Sequence, residues 1–268
     1  MPAIYAHYCF GQQCLATLPV ELKEICEKHI DIYNFGVHGP DIFFYSYNFY
    51  DLSINKFGSK LHRVTGQEFF TQCSDALKQS TPYHDAMVAY MCGFLTHFTL
   101  DSHCHGYIND LTAKGPLSHN YIEAQYEAHL LRANGNPTKV DRSFSLIPSK
   151  EKAQAISQFF TYSGSVMYRV INGQKLFIHL LYSPRGIKKR ILRVILKLLK
   201  NPGHLGDLFI DKKELPLCKE SNQTIDSLKD KALIDYPEIV SSFWNFVNEG
   251  STLSPLFDYD FEGELKKA

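Results

Sequence analysis

The sequence lacks a net charge and lacks paired cysteine motifs. Its 268 residues include 28 basic and 28 acidic residues, so the formal net charge is zero. This balance gives no global reason to expect nucleic-acid binding. The seven cysteines are scattered, are odd in number and form no Cys-x-x-Cys motif, which indicates free thiols in a reducing compartment.

Targeting and membrane-spanning signals are also missing. The chain begins MPAIYAHYCFGQQC, which has neither the basic segment nor the long apolar segment of a signal peptide. The stretch from Ala86 to Leu100 carries no Asp, Glu, Lys or Arg, but it is shorter than the ~20 apolar residues that a membrane span needs. We therefore expect a cytoplasmic protein.

Strand patterns are nearly absent, and signals for helices dominate. No segment shows a sustained two-residue alternation flanked by turns, whereas Pro19, the capping box at 65–68 and Ser149 are typical helix starts. We expect one all-α domain over residues 1–268, a multi-helix bundle with metal-ligand motifs within 1–130 and C-terminal helices within 149–250. The predicted helices begin at Pro19, Thr65 and Ser149, and cover about 81–105, 117–133, 164–182, 185–200, 224–234 and 237–248.

The most informative feature is a set of histidines and carboxylates at helical spacing. His97, Asp101 and His105 are each four residues apart, as are His119 and Glu123. Residues at i and i+4 lie on one face of an α-helix. The uncharged stretch before Asp101 predicts a buried helix, and a buried carboxylate needs a partner. Imidazole and carboxylate together are ligands for zinc or a similar divalent ion.

Other readings of these residues remain open. His97 and Asp101 could form a buried hydrogen-bonded pair without metal, and Asp41 could be the N-cap of the next helix. His38 is expected to be an ordinary loop residue, and His103 lies off the shared helix face. Glu127 is expected to be solvated, or to contact a metal-binding residue rather than the metal itself.

Taken together, the motifs resemble those of the bacterial zinc-dependent phospholipase C family and, more distantly, the P1/S1-type zinc nucleases. The resemblance covers roughly residues 1–130. It is carried by an N-terminal histidine, a Gly-Pro-Asp turn, a lone histidine, the run GFLTHFTLDSHCH and the run HNYIE; the residues concerned are His7, Asp41, His62, His97, Asp101, His105, His119 and Glu123.

The resemblance implies an all-α protein that holds two or three zinc ions in a central cleft. By this resemblance, His97 and Asp101 form a central pair whose aspartate bridges two metals. Asp41 and His62 complete the first metal site, and His7 is a ligand of the second metal that shares Asp101. A separate zinc is bound by the remaining three residues, His105, His119 and Glu123.

The chain departs from the secreted enzymes of that family at several points. Only three residues separate Asp101 from His105, and the interval between Asp41 and His62 is longer than in those enzymes. The secreted enzymes also use the amino group of an N-terminal Trp as a ligand, whereas this chain begins Met1-Pro2. A third metal would then need the amine of Pro2, freed by removal of the methionine.

The function that the resemblance implies is hydrolysis of a phosphodiester, chiefly at the head group of a phospholipid. Asp41 is the candidate catalytic carboxylate, which would orient or deprotonate the attacking water. One alternative keeps the metals and changes the substrate, giving a nuclease or phosphomonoesterase, although nucleic acid is not favoured. Another is a non-catalytic protein with a structural zinc site.

Residues 185–200 form a basic amphipathic segment. Wound as a helix, Lys189, Arg190, Arg193, Lys197 and Lys200 share one sector, and Ile187, Ile191, Val194, Ile195 and Leu198 share another. The simpler expectation is a surface helix whose apolar stripe faces the core. The alternative is peripheral contact with an anionic membrane, which would suit a lipid substrate.

Overall fold

The structure is a computed structural model that describes residues 4–45, 52–79, 81–135, 140–200, 202–210 and 215–266. These residues form an all-α protein, as expected, and contain no β-strand beyond two isolated antiparallel bridges, Thr65 with Asp260 and Tyr259 with Leu265. The α-helices are α1 (Ile4–Thr17), α2 (Val20–Lys28), α3 (Ile30–Gly36), α4 (Ser53–Leu61), α5 (Gly66–Leu77), α6 (His84–Lys114), α7 (His119–Ala133), α8 (Lys150–Ser157), α9 (Gly164–Leu181), α10 (Ile187–Leu198) and α11 (Pro216–Glu249). Short 3-10 helices cover Gly39–Tyr45, Pro202–Leu208 and Pro255–Asp258.

Helix α6 is the centre of the fold. Every residue from Met87 to Asp101 is buried, because α1, α2, α3 and α11 all pack around it. The uncharged sequence of this stretch is therefore explained by burial on every side. The helix continues to Lys114, nine residues beyond the predicted end at His105.

Aromatic rings fill the space between α5, α6 and the C-terminal segment. Phe70 packs edge-on against Phe98 and Phe257, with ring centroids 5.3 and 5.2 Å apart, and Phe98 stacks on Phe257 at 5.5 Å. Phe98 also meets Phe261 at 5.1 Å. Such pairs stabilise a core by about 0.5–1.5 kcal/mol beyond the burial of their area. They hold the C-terminal segment against the middle of α6.

The predicted helix starts agree with the structure where a side chain caps the helix. The Thr65 side chain accepts a hydrogen bond from Glu68 N, and Ser149 accepts one from Lys152 N, each over 3.2 Å. The predicted interruption between residues 234 and 237 is wrong, because α11 runs unbroken through Pro237. A proline inside a helix costs about 3 kcal/mol, and burial of neighbours such as Tyr236 and Ile239 against the core offsets it.

A close crossing of α3 and α6 brings the Gly-Pro-Asp turn to α6. Gly36 and Gly93 face each other there, and a Cβ on Gly93 would collide with Tyr33 O of α3. Beyond this crossing, Gly39 has a φ of +45° and lies against the ring of His97, with no room for a Cβ. Glycine is the residue that adopts this backbone conformation without strain. The crossing sets Asp41 beside the imidazole of His97.

Candidate metal centre

The predicted face of α6 is buried in the centre of the protein. His97, Asp101 and His105 are each at most 2% exposed. His97 Nε2 lies 2.9 Å from Asp101 Oδ2, and His105 Nδ1 lies 3.6 Å from the same oxygen. One carboxylate therefore lies between two imidazoles of its own helix, as the i, i+4 spacing predicts.

Helix α1 adds His7 to this face. His7 Nε2 lies 3.2 Å from Asp101 Oδ1, and its ring stacks on that of His97 with centroids 4.1 Å apart. His7 is 3% exposed, so it is not a surface histidine. His7, His97 and Asp101 form the first group whose possible ligand atoms all lie within 4.8 Å of one another.

The Gly-Pro-Asp turn and the end of α4 supply a second group. Asp41 lies in the first turn of the 3-10 helix Gly39–Tyr45, and its Oδ1 is 3.0 Å from Nε2 of His62. With His97 these two residues have possible ligand atoms within 4.8 Å of one another. Because His97 belongs to both groups, the first and second groups are adjacent.

A third group lies between the far part of α6 and the start of α7. Oε1 of Glu123 is 3.3 Å from His105 Nε2 and 3.2 Å from His119 Nε2. The ligand atoms of these three residues also lie within 4.8 Å of one another. Ser118 fixes the start of α7 by accepting a hydrogen bond from Tyr121 N, which sets the position of the next residue, His119.

Four of the histidines are held by a hydrogen bond at Nδ1, which leaves Nε2 facing the groups. A metal-binding histidine is normally oriented in this way, by an acceptor at its other ring nitrogen. The acceptors are Gly58 O for His62 (2.8 Å), Val37 O for His97 (3.2 Å), Phe261 O for His105 (2.9 Å) and Asn109 Oδ1 for His119 (3.1 Å). The side chain of Asn109 in turn donates to Glu262 over 2.8 Å.

Several buried polar atoms of the groups make no hydrogen bond to the described residues, although some of them lie within ion-pair distance of one another, as His97 Nε2 and Asp101 Oδ2 do at 2.9 Å. They are Nδ1 of His7, Nε2 of His97 and His119, Oδ2 of Asp101 and Oε2 of Glu123. Buried polar atoms normally have partners, and atoms left without one can be satisfied by an ion. Imidazole nitrogens and carboxylate oxygens are donors that suit zinc. The residues present therefore fit a zinc centre.

The carboxylates of the groups are held in their charged form. Burial would raise the pKa of Asp101, but the positive charge of His105, His97 and His7 holds it well below its usual range. Burial likewise opposes the ionisation of Glu123, yet His119 and His105 lower its pKa to about 2. Burial would lower the pKa of His105, but the negative charges of Asp101 and Glu123 raise it to about 10.

The pair Glu127 and Arg142 braces the centre and was not predicted. Glu127 follows Glu123 by one turn of α7, is fully buried and is paired with Arg142, so it is not solvated. It also accepts a hydrogen bond from Tyr5 N in the first turn of α1, two residues before His7. The sequence motifs did not predict a role for Arg142, because this residue lies outside the predicted helices.

Two further histidines differ from each other in their surroundings. His38 was expected to be an ordinary loop residue. It lies in a turn but is buried, with 1% exposure, and its Nε2 makes no hydrogen bond to the described residues. Burial lowers its pKa well below the usual range, and the nearby His7 and His97 lower it further. His103 lies off the ligand face, as expected, and pairs with Asp235 of α11 at 2.9 Å.

The described cavity beside the centre is small. It holds about 20 Å³ and is lined partly by His7, Asp101, His105 and Glu123. This is close to the volume of one or two waters. The side chains of the first and second groups are at most 3% exposed, whereas the side chain of His119 in the third group is 22% exposed.

The fold and the three groups define an all-α protein with a buried centre of histidines and carboxylates suited to metal. A family model described as zinc-dependent phospholipase C matches residues 6–165, and the chain belongs to this family. The match extends beyond the region of roughly 1–130 that the motifs indicated. Searches of the curated proteins and of the solved structures found no match. Membership supports a zinc-dependent hydrolase of the phospholipase C type.

Proposed function

We propose that this chain hydrolyses the phosphodiester bond of a phospholipid head group with two or three zinc ions. The observation that carries the proposal is the position of Asp101, whose two oxygens lie 3.2 Å from His7 and 2.9 Å from His97. A carboxylate between two histidines of different helices is suited to bridge neighbouring metals. The third group has the same members as the set His105, His119 and Glu123 that the family resemblance implies, whereas the residue that the other two groups share is His97 rather than Asp101.

In this proposal the eight residues divide into ligands for neighbouring ions. Asp41, His62, His97 and Asp101 would hold the first, and His7 with Asp101 would hold the second, whose remaining ligand, the amine of Pro2, lies outside the described residues. The third would be held by His105, His119 and Glu123. Zinc bound there would supply positive charge for the phosphate and would promote ionisation of the attacking water.

Asp41 is the proposed catalytic carboxylate. It is 1% exposed, and the contact with His62 fixes one of its oxygens. In the metal-free protein, burial would raise the pKa of Asp41, but the hydrogen bond from His62 and the charge of His97 contribute to holding this pKa below its usual range. The ionised carboxylate can then accept a hydrogen bond from the attacking water, orient it and take its proton.

The experiment compares three variants on a short-chain phosphatidylcholine that is soluble without a membrane. We expect Asp101→Asn to lose bound zinc and hydrolysis together, and Asp41→Asn to lower kcat by at least about 100-fold. His103→Ala is the matched control, because it changes a histidine of the same helix whose partner is Asp235. Full turnover by Asp101→Asn with full metal content would refute the assignment.

A structural zinc centre is the second candidate. Its support is the burial of the first and second groups, since structural zinc sites are coordinatively closed and catalytic sites keep a position open to water. A panel of phospholipids, single-stranded DNA and a phosphomonoester separates the candidates. Turnover of phospholipid alone supports the proposal, turnover of DNA or monoester supports the nuclease or phosphatase alternative, and zinc without any turnover supports the structural centre.

A further inference from the structure

Helix α10 presents its apolar stripe to solvent. None of its 12 residues, all within the described part of the chain, is buried. The stripe, defined as Ile187, Ile191, Val194, Ile195 and Leu198, is 45–80% exposed. At about 100° per residue these five side chains occupy one sector of about 100°. The expectation that this stripe faces the core is therefore wrong.

The opposite side of α10 is the side that contacts the protein. Lys189 Nζ donates a hydrogen bond to Ile210 O over 2.6 Å. The Arg193 guanidinium donates to Phe209 O over 3.5 Å and lies over the ring of Phe209 at 5.8 Å. Basic side chains thus anchor the helix through carbonyl groups and a ring, and they turn the apolar stripe outwards.

Positive charge borders the exposed stripe on both sides. Around the helix, the exposed Arg190 and Lys197 precede one edge of the apolar sector. Lys188 follows the other edge, where its Nζ donates a hydrogen bond to His179 O over 3.1 Å. No Asp or Glu occurs in the sequence from Lys152 to Gly206, so acidic residues of this segment do not neutralise the charge. An apolar strip bordered by cations is the pattern of a helix that lies in the surface of an anionic bilayer.

A second copy of the chain fits this surface less well. A symmetric dimer would place the same surface against itself and would bring the cations of both copies together. Anionic lipids would instead meet Arg190 and Lys197 with opposite charge while the acyl chains receive the stripe. The described helices include none long and apolar enough to cross a membrane, so the contact would lie in the interface.

We propose that α10 docks the protein on an anionic membrane surface, with the stripe in the acyl boundary and Arg190 and Lys197 among the head groups. The docking does not depend on the proposed hydrolysis. α10 lies outside the residues 6–165 that the family model matches, so this surface belongs to the part of the chain that the match does not cover.

The test measures co-sedimentation of the full chain with vesicles of phosphatidylcholine containing 30% or no phosphatidylserine. We expect binding only with phosphatidylserine, and weaker binding at high salt. Arg190→Gln with Lys197→Gln should weaken binding roughly 25-fold, about fivefold for each charge. Val194→Gln with Leu198→Gln should weaken it at least about tenfold through lost apolar burial.

The matched control is Lys231→Gln with Ile234→Gln, which changes an exposed basic residue and a 77% exposed apolar residue of α11. The control should bind as the unchanged protein does. Asp41→Asn should also bind normally, which separates docking from turnover. Equal binding to neutral vesicles, loss of binding in the α11 control, or concentration-dependent dimers that the α10 substitutions abolish would overturn the proposal.

Discussion

Arg142→Met removes the partner of a buried carboxylate that ties together two helices of the metal centre. Glu127 on α7 is fully buried, and the side chain of Arg142 is 5% exposed. Glu127 also receives the backbone N–H of Tyr5. The substitution keeps a long apolar side chain at position 142 but leaves Glu127 without its cation.

The expected loss of stability is large for a single substitution. Removing one partner of a buried ion pair typically destabilises a protein by about 3–5 kcal/mol, because the remaining charge stays buried. At about 2–4 °C per kcal/mol for a chain of this size, Tm should fall by roughly 6–20 °C. Lys114→Met is the control, since Lys114 and its partner Asp110 are 74% and 70% exposed, and it should cost no more than about 1 kcal/mol.

The loss should depend on pH with a defined sign. Burial raises the pKa of Glu127 even in the presence of Arg142, and removal of the cation raises it further. A carboxyl group whose pKa is higher in the folded than in the unfolded protein destabilises the folded state at pH values above the unfolded pKa. At pH values well below the unfolded pKa it has no effect on stability. The difference in Tm between the variant and the unchanged protein should therefore shrink as the pH falls from 8 towards about 4.5.

Thermal unfolding followed by circular dichroism at several pH values measures both effects. The double variant Glu127→Met with Arg142→Met should recover most of the lost stability, because no buried charge remains. The reasoning is refuted if the single variant melts within 2 °C of the unchanged protein, or if the double variant is less stable than the single one.

Three further predictions follow from the same geometry. Gly93→Ala should prevent tight packing of α3 on α6 and lower stability by at least about 1–3 kcal/mol, measured by urea unfolding, whereas Ala substitution at the exposed, unobstructed Gly135 tests backbone strain alone. In metal-free protein, the lowered pKa of Glu123 contributes stability above about pH 4.5 that is lost as the pH falls towards 2, and Glu123→Gln should flatten this acid limb of the Tm profile. The raised pKa of His105 contributes stability that is complete below about pH 6.5 and is lost as the pH rises towards 10, so metal-free protein should also melt earlier at pH 10 than at pH 7.

The helical class and the shared faces of the ligand residues within α6 and within α7 were predictable, because both depend on local spacing. His97, Asp101 and His105 share a face through the helical repeat alone, and the capping residues Thr65 and Ser149 satisfy backbone groups only a few residues away. Local patterns of this kind need no knowledge of tertiary packing. They identified five of the eight residues in the three groups, and the other three, His7, Asp41 and His62, were expected from the family resemblance.

Contacts between distant segments were not predictable from these patterns. The acceptor for His105 is Phe261 O, 156 residues away, and the cation for Glu127 comes from a loop. The spacing within α10 predicts two opposed faces but does not say which of them meets the protein. Only the positions of Ile210 and Phe209 decide that the basic side is the anchored one.

The most direct test of the central claim is zinc per chain, measured by elemental analysis of protein purified without chelators or a His-tag. The account predicts two or three zinc ions per chain in the unchanged protein, with loss of at least one ion in His97→Ala and none in His103→Ala. Folded protein that contains no metal would contradict the claim that these histidines and carboxylates form a metal centre.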